Sequence, residues 1–260
     1  MDAFAGIDVA FAKRKRLPIV VCRRLGIQLE PLPLRNAAAK PPVGKGNARI
    51  LDPDTVQNFA DETAAYLRRI ESEFGISIKR IAIDAPSAPK ETNSTRRQCE
   101  VALDQRQIRC ITTPSTLEFK ALRKRAADHL GSHGPESRIP GANQLWMLVG
   151  FELFGRLRSD WECIEVFPQA IAVTLNAHSI HKSDPRGVLA QLNAVSRYTN
   201  WHPKVEVAML SDIAYGSCHD RLDAYLAAWI ASLDERDRIA IGQKPNDAIW
   251  LPRVQPVLSM

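Results

Sequence analysis

Apolar positions fall into short runs near the amino terminus and into helical stripes further along. Residues 4–11 (Phe-Ala-Gly-Ile-Asp-Val-Ala-Phe) form an apolar run with one acid inside it, the pattern of a buried strand. Residues 17–24 and 27–34 follow at hairpin distance across Leu25-Gly26, which predicts a three-stranded meander. The Ala/Pro/Gly/Lys-rich stretch 36–47 predicts an exposed loop. From Asp54 a stripe of Phe59, Ala60, Thr63, Tyr66, Leu67 and Ile70 predicts a helix ending near Gly75. Residues 78–84 predict a fourth strand, stopped by Ala85-Pro86.

Helices are expected over 94–107, 116–130 and 142–158, with a short strand at 108–112 and a Gly/Pro-rich break at 131–141. A fifth strand is expected at 161–167, with helices from Pro168 and Asp184, a last strong helix over 220–233 and a terminal edge strand at 248–251. Strands come first, then helical material, then a strand and further helices. That order predicts one mixed α/β domain over 1–252, with a helical insertion at 90–158 and a loose tail at 253–260.

Composition narrows the class. With 45% hydrophobic and 25% charged residues the chain can build a core, which excludes intrinsic disorder. No apolar run approaches the ~18 residues a membrane helix needs, because Glu152 and Asp223 interrupt the two best candidates. Asp2 and Asp8 precede the basic run Lys13-Arg-Lys-Arg16, the wrong order for a secretory signal. Cys22, Cys99, Cys110, Cys163 and Cys218 form no C-x-x-C pair, so reduced thiols and a cytoplasmic protein are expected. Charge is uneven: residues 1–130 carry 23 Lys/Arg against 15 Asp/Glu, and 131–260 carry 12 against 14. A basic half beside a mildly acidic one is compatible with nucleic-acid binding, and equally with scattered solvated charge.

The informative residues are acids at element ends. Asp8 lies within the first strand, Asp84 closes the fourth, and Glu165 sits near the end of the fifth. Asp220 and Asp223 are three apart, on one side of the first turn of the last helix. Ala224, Ala227 and Ala228 would let that helix approach a sheet closely. An acid in an apolar strand is costly unless compensated, and several converging acids want a cation. An all-oxygen site suits Mg²⁺ or Mn²⁺, and two such ions can drive phosphodiester hydrolysis. Taken singly, Asp220 is also a good helix N-cap, Asp84 a turn residue and Glu165 an ordinary strand-end acid.

Ala5-Gly-Ile-Asp8, Ile81-Ala-Ile-Asp-Ala-Pro86, Ile164-Glu-Val-Phe-Pro168 and His219-Asp-Arg-Leu-Asp-Ala-Tyr-Leu-Ala-Ala228 together resemble the domain-of-unknown-function 429 family. The closing Ala248-Ile-Trp-Leu-Pro252 is similar too, and 219–228 also resembles the last helix of Holliday-junction resolvases. The resemblance spans roughly 3–252. It implies an α/β, RNase H-like fold with a five-stranded mixed sheet, and a divalent-metal-dependent nuclease. By position it implies metal ligation by Asp8, Asp84, Asp220 and Asp223, with Glu165 a further catalytic acid at the same rim. The basic run 13–16 in the first hairpin departs from the more apolar pattern of relatives.

Nucleic acid, RNA or DNA, is the expected partner, with no membrane association and a homodimer allowed. Lys13, Arg14, Arg96, Arg97, Lys120, Arg123 and Lys124, with Arg125, are the candidate backbone contacts, against the plain reading of solvated surface. The alternative function is a catalytically weak module of the same fold that binds nucleic acid or a protein. His129/His133 and His178/His181 have zinc-like spacing without Cys or acid partners and read as surface histidines. Cys218-His219 reads as a core thiol beside a base that could protonate a leaving group. Residues 44–49 lack the phosphate-loop spacing and read as a flexible loop. Sugar kinases and actin-like ATPases begin similarly, but no second Gly-rich turn or duplicated domain supports that reading.

Overall fold

The pleat of the first strand sets the whole arrangement. In β1 (Asp2–Asp8), Ala3, Ala5 and Ile7 face one apolar cluster, while Phe4, Gly6 and Asp8 face the other side. The computed structural model describes residues 1–202 and 204–253. Within it the chain continues through β2 (Ile19–Leu25), β3 (Gln28–Pro31), α1 (Pro53–Phe74), β4 (Ser77–Asp84), α2 (Gln98–Gln105) and α3 (Thr116–Gly131). Then come α4 (Ala142–Leu145), α5 (Met147–Leu157), β5 (Glu162–Glu165), α6 (Pro168–Thr174), α7 (Pro185–Thr199) and α8 (Leu210–Ile213). The chain closes with α9 (Cys218–Ser232), β6 (Arg238–Gln243) and β7 (Asp247–Pro252).

The strands form one seven-stranded mixed sheet in the order β3-β2-β1-β4-β5-β7-β6, not five strands. β1, β4, β5 and β7 run parallel, while β2, β3 and β6 pair antiparallel to their neighbours. The expected edge strand, β7, is therefore interior. The true edge is β6, which the apolar pattern missed because Arg-Ile-Ala-Ile-Gly-Gln carries too little alternation to stand out. Residues 108–112 are not a strand, since β6 fills the sheet edge and Ile111 is left 46% exposed.

Helices cover both faces. Phe59, Leu67 and Ile70 of α1 with Val149, Leu153 and Phe154 of α5 bury the Ile7/Ile81/Ile83 face. α9, α7 and α6 bury the face of Phe4, Ala82 and Ile164. α1 ends as expected at Gly75, which takes the left-handed conformation that a helix C-terminus favours (φ 62°). α2 starts at Gln98 rather than 94, because Arg97 keeps an extended backbone while its side chain turns inward. The helix expected over 142–158 breaks once, at Trp146. The loop 36–47 is packed rather than free: Leu17 N–H donates to Pro42 O (2.9 Å), and Gly44 exchanges bonds with Lys15 and Arg14. No helix among the described residues is long and apolar enough to cross a membrane. The tail expected beyond Pro252 lies, from residue 254, outside the described residues.

Candidate metal centre

Register brings the first two acids together. β1 and β4 pair in parallel with Gly6 opposite Ala82 and Asp8 opposite Asp84, so both acids end their strands on the same face. That face is covered by α9. Gly6 is what lets it approach: a Cβ there would sit 2.0 Å from Ala224 O and 2.2 Å from Ala228 N. The small residues of α9 thus seat the helix on β1, as their spacing predicts, and Asp223 arrives beside Asp8 and Asp84. One ligand oxygen from each of these three acids lies within 4.8 Å of the others.

Asp220 stands apart from this set. The N-cap of α9 is Ser217, whose hydroxyl accepts from Asp220 N–H, while the Asp220 carboxylate accepts from Ser217 N–H at 2.8 Å. A capping box therefore engages Asp220 at the N3 position, three residues after the N-cap role its sequence position suggests. It stays close enough to act on the centre through charge, raising the carboxyls of both Asp8 and Asp223. His219 is half exposed and lies 3.1 Å from Asp220 Oδ1.

Glu165 belongs to the opposite pleat. In β5, Cys163 pairs with Ile81 and Glu165 with Ile83, which turns Glu165 away from the face that carries Asp84. There Arg97 meets it with two parallel bonds, Nη1 to Oε1 (2.8 Å) and Nη2 to Oε2 (2.7 Å), and Ser87 N–H adds a third (2.8 Å). Its oxygens are committed to a buried ion pair instead of joining the acids at the rim. Arg97, at 3% exposure, cannot reach a phosphate backbone as expected.

Burial raises all three clustered acids, and repulsion from neighbouring acids adds to it. Desolvation is the largest cause for each. Asp8 is pushed well above the usual range, with Asp223, Asp84 and Asp220 adding repulsion. Asp84 is pushed up to about 8, with Asp223 and Glu165 adding to burial. The opposing charge is Lys182, in the loop between α6 and α7, which ion-pairs with Asp223 Oδ2. Sequence reasoning missed it, because a lone lysine in a polar loop carries no signal of what it will touch.

The donor set fits a hard divalent cation. It offers three carboxylates and no sulfur or nitrogen ligand, and Asp223 Oδ1 is buried without a hydrogen-bond partner. An unpartnered buried carboxylate oxygen is costly, and a cation is the partner it lacks. The spaced histidine pairs gather no such set among the described residues.

The expected backbone contacts divide. Lys13 and Arg14 are exposed at the tip of the turn after β1, and Lys120, Lys124 and Arg125 are exposed on α3. Arg123 is partly buried and donates to Leu51 O (3.0 Å). Arg96 is spent on Asp104 (3.1 Å) and on Cys110. Searches of curated proteins and of solved structures give no match. A family model described as protein of unknown function (DUF429) matches residues 6–246, which contain every acid of this centre. The chain belongs to the domain of unknown function 429 family.

Proposed function

We propose that the chain is a divalent-metal-dependent nuclease built on an RNase H-like core. One observation carries the reading: Asp8, Asp84 and Asp223 converge within 4.8 Å at the ends of two adjacent parallel strands and the first turns of the helix packed on them. The order β3-β2-β1-β4-β5, with the first three strands antiparallel and β1, β4 and β5 parallel, supports the RNase H-like core; β7 and β6 extend it.

Asp8, Asp84 and Asp223 would hold Mg²⁺ or Mn²⁺, which would supply activation of a water and charge stabilisation at the leaving oxygen. The chain's residues do the rest. Asp8 and Asp84 project from paired strands, so their separation is set by the ladder rather than by flexible loops. Asp223 rides on a helix locked to β1 through Gly6. In this reading half-exposed His219, 3.1 Å from Asp220 Oδ1, hands a proton to the departing oxygen. Exposed Lys120 and Lys124 provide charge for a phosphate backbone. A cytoplasmic setting is part of this reading, supported by the free thiols, with Cys22 and Cys99 buried.

The test is purified protein with Mg²⁺ or Mn²⁺ on labelled RNA, DNA, hybrid and branched substrates. Cleavage that persists in chelator, or in Asp8→Asn, overturns the proposal. The second reading, a binding module without catalysis, is favoured by the Lys182–Asp223 pair, in which the protein's own cation serves the cluster. It forecasts salt-sensitive binding and no cleavage with any metal.

A further inference from the structure

At the carboxyl ends of β4 and β5 a cavity of about 480 Å³ opens beside the acids, sharing Asp84 with them. Ligands favour this position in parallel α/β sheets. Its lining is mostly apolar, with Trp146, Met147, Phe167 and Ile249 among its walls. Trp146 and Phe167 are only partly buried and both line the cavity. Thr113 also lines the cavity, and its hydroxyl is buried without a hydrogen-bond partner. Arg109 stands at the same cavity, exposed and without an ion pair among the described residues.

We infer that this cavity receives one unstacked nucleobase of a single-stranded segment, with the backbone passing between Arg109 and the three-acid centre. The inference rests on the nuclease reading for its choice of ligand. Four features converge on that ligand. The cavity is of the size that takes a small ring-bearing ligand. Two aromatic side chains match the face of a base, a contact tolerant of sequence. An unpartnered hydroxyl matches the polar edge that a base carries and a plain hydrocarbon does not. A free arginine on one side, with a cation-ready acid cluster on the other, brackets a phosphate on either side of the base. A base drawn out of a stack is reached most cheaply in single strands, so the inference names unpaired or locally opened nucleic acid as the substrate class.

The experiment measures binding of fluorescent single-stranded DNA and RNA oligonucleotides to the full chain at low salt, with Ca²⁺ in place of Mg²⁺ or Mn²⁺, and with one abasic residue walked along the strand. The expected result is a loss of about tenfold at one or two abasic positions and little at the others. Trp146→Leu should abolish that positional difference. Arg109→Glu, a surface change that spares the fold, should weaken every oligonucleotide and reduce the salt slope by about one. Equal effects at all abasic positions overturn the inference, as does absence of binding or a salt slope unchanged in Arg109→Glu. These readouts need no cleavage. A wild type that binds with positional dependence but never cleaves refutes the nuclease reading and leaves the cavity assignment standing. Metal-dependent cleavage indifferent to abasic position does the reverse.

Discussion

Asp84→Asn should stabilise the metal-free protein at neutral pH. The Asp84 carboxyl is held at about 8 against an ordinary 3.8, by burial first and then by Asp223 and Glu165. Folding therefore makes this group take up a proton that the unfolded chain has released at pH 7. A raised carboxyl contributes its stability fully below about pH 3.8, and that contribution is lost as pH rises towards about 8. At about 1.4 kcal/mol per pH unit, the penalty at pH 7 is at most roughly 4 kcal/mol. Asp84 is only half-buried, and solvent screening there reduces the penalty to about 2–3 kcal/mol. An amide carries no such penalty. Urea unfolding in chelator at pH 4.5, 6, 7 and 8 should show the variant ahead of wild type at pH 7, with a margin that shrinks towards pH 4.5. Adding Mn²⁺ at about 1,000 times its Kd should reverse the order, since that stabilises the folded wild type by about 4.1 kcal/mol and the variant has lost a ligand. A variant less stable than wild type at pH 7 in chelator, or a margin independent of pH, would refute the reasoning.

Other outcomes follow from the same geometry. Lys182→Met should lower stability in chelator by about 2–3 kcal/mol, because Asp223 loses its buried partner, while Mn²⁺ binding by calorimetry tightens several-fold; weaker Mn²⁺ binding would mean that Lys182 assists the metal rather than competes with it. Glu165→Gln should cost about 3 kcal/mol, because buried Arg97 loses its two-bond partner and keeps only Asp247, 3.4 Å from its Nε, as a counter-charge, with no loss of Mn²⁺ affinity per folded molecule. Gly6→Ala should destabilise by more than about 3 kcal/mol, read as a fall of several degrees in Tm, because its Cβ meets the backbone of α9 rather than a side chain that can move. Reversing Lys120 and Lys124 should weaken nucleic-acid binding on all sequences alike and flatten its salt dependence, and an unchanged slope would return them to ordinary surface.

Much of this architecture was legible in the chain. Apolar runs located β1, β2, β3, β4 and β5, because a buried strand must be apolar on at least one face wherever it ends up. The alanines after Asp223 announced a helix that packs tightly, since only small residues allow that approach. Acids inside such runs announced candidate site residues, because a charge there needs a compensating partner. What the chain could not declare was which acids meet. Asp8 joins Asp84 through ladder register, and Glu165 is excluded by pleat parity, which depends on how β5 aligns with β4. Asp220 is drawn into a capping box by Ser217, a local contest that its spacing from Asp223 does not reveal. Lys182 and Arg97 acquire their roles only from partners 41 and 68 positions away, and no periodicity carries contacts over that range. The edge strand β6 stayed hidden for a related reason: an edge needs hydrogen bonds more than burial, and hydrogen bonding leaves no pattern in side chains. Local chemistry determined the elements and their apolar faces; register, pleat and long-range pairing decided the site.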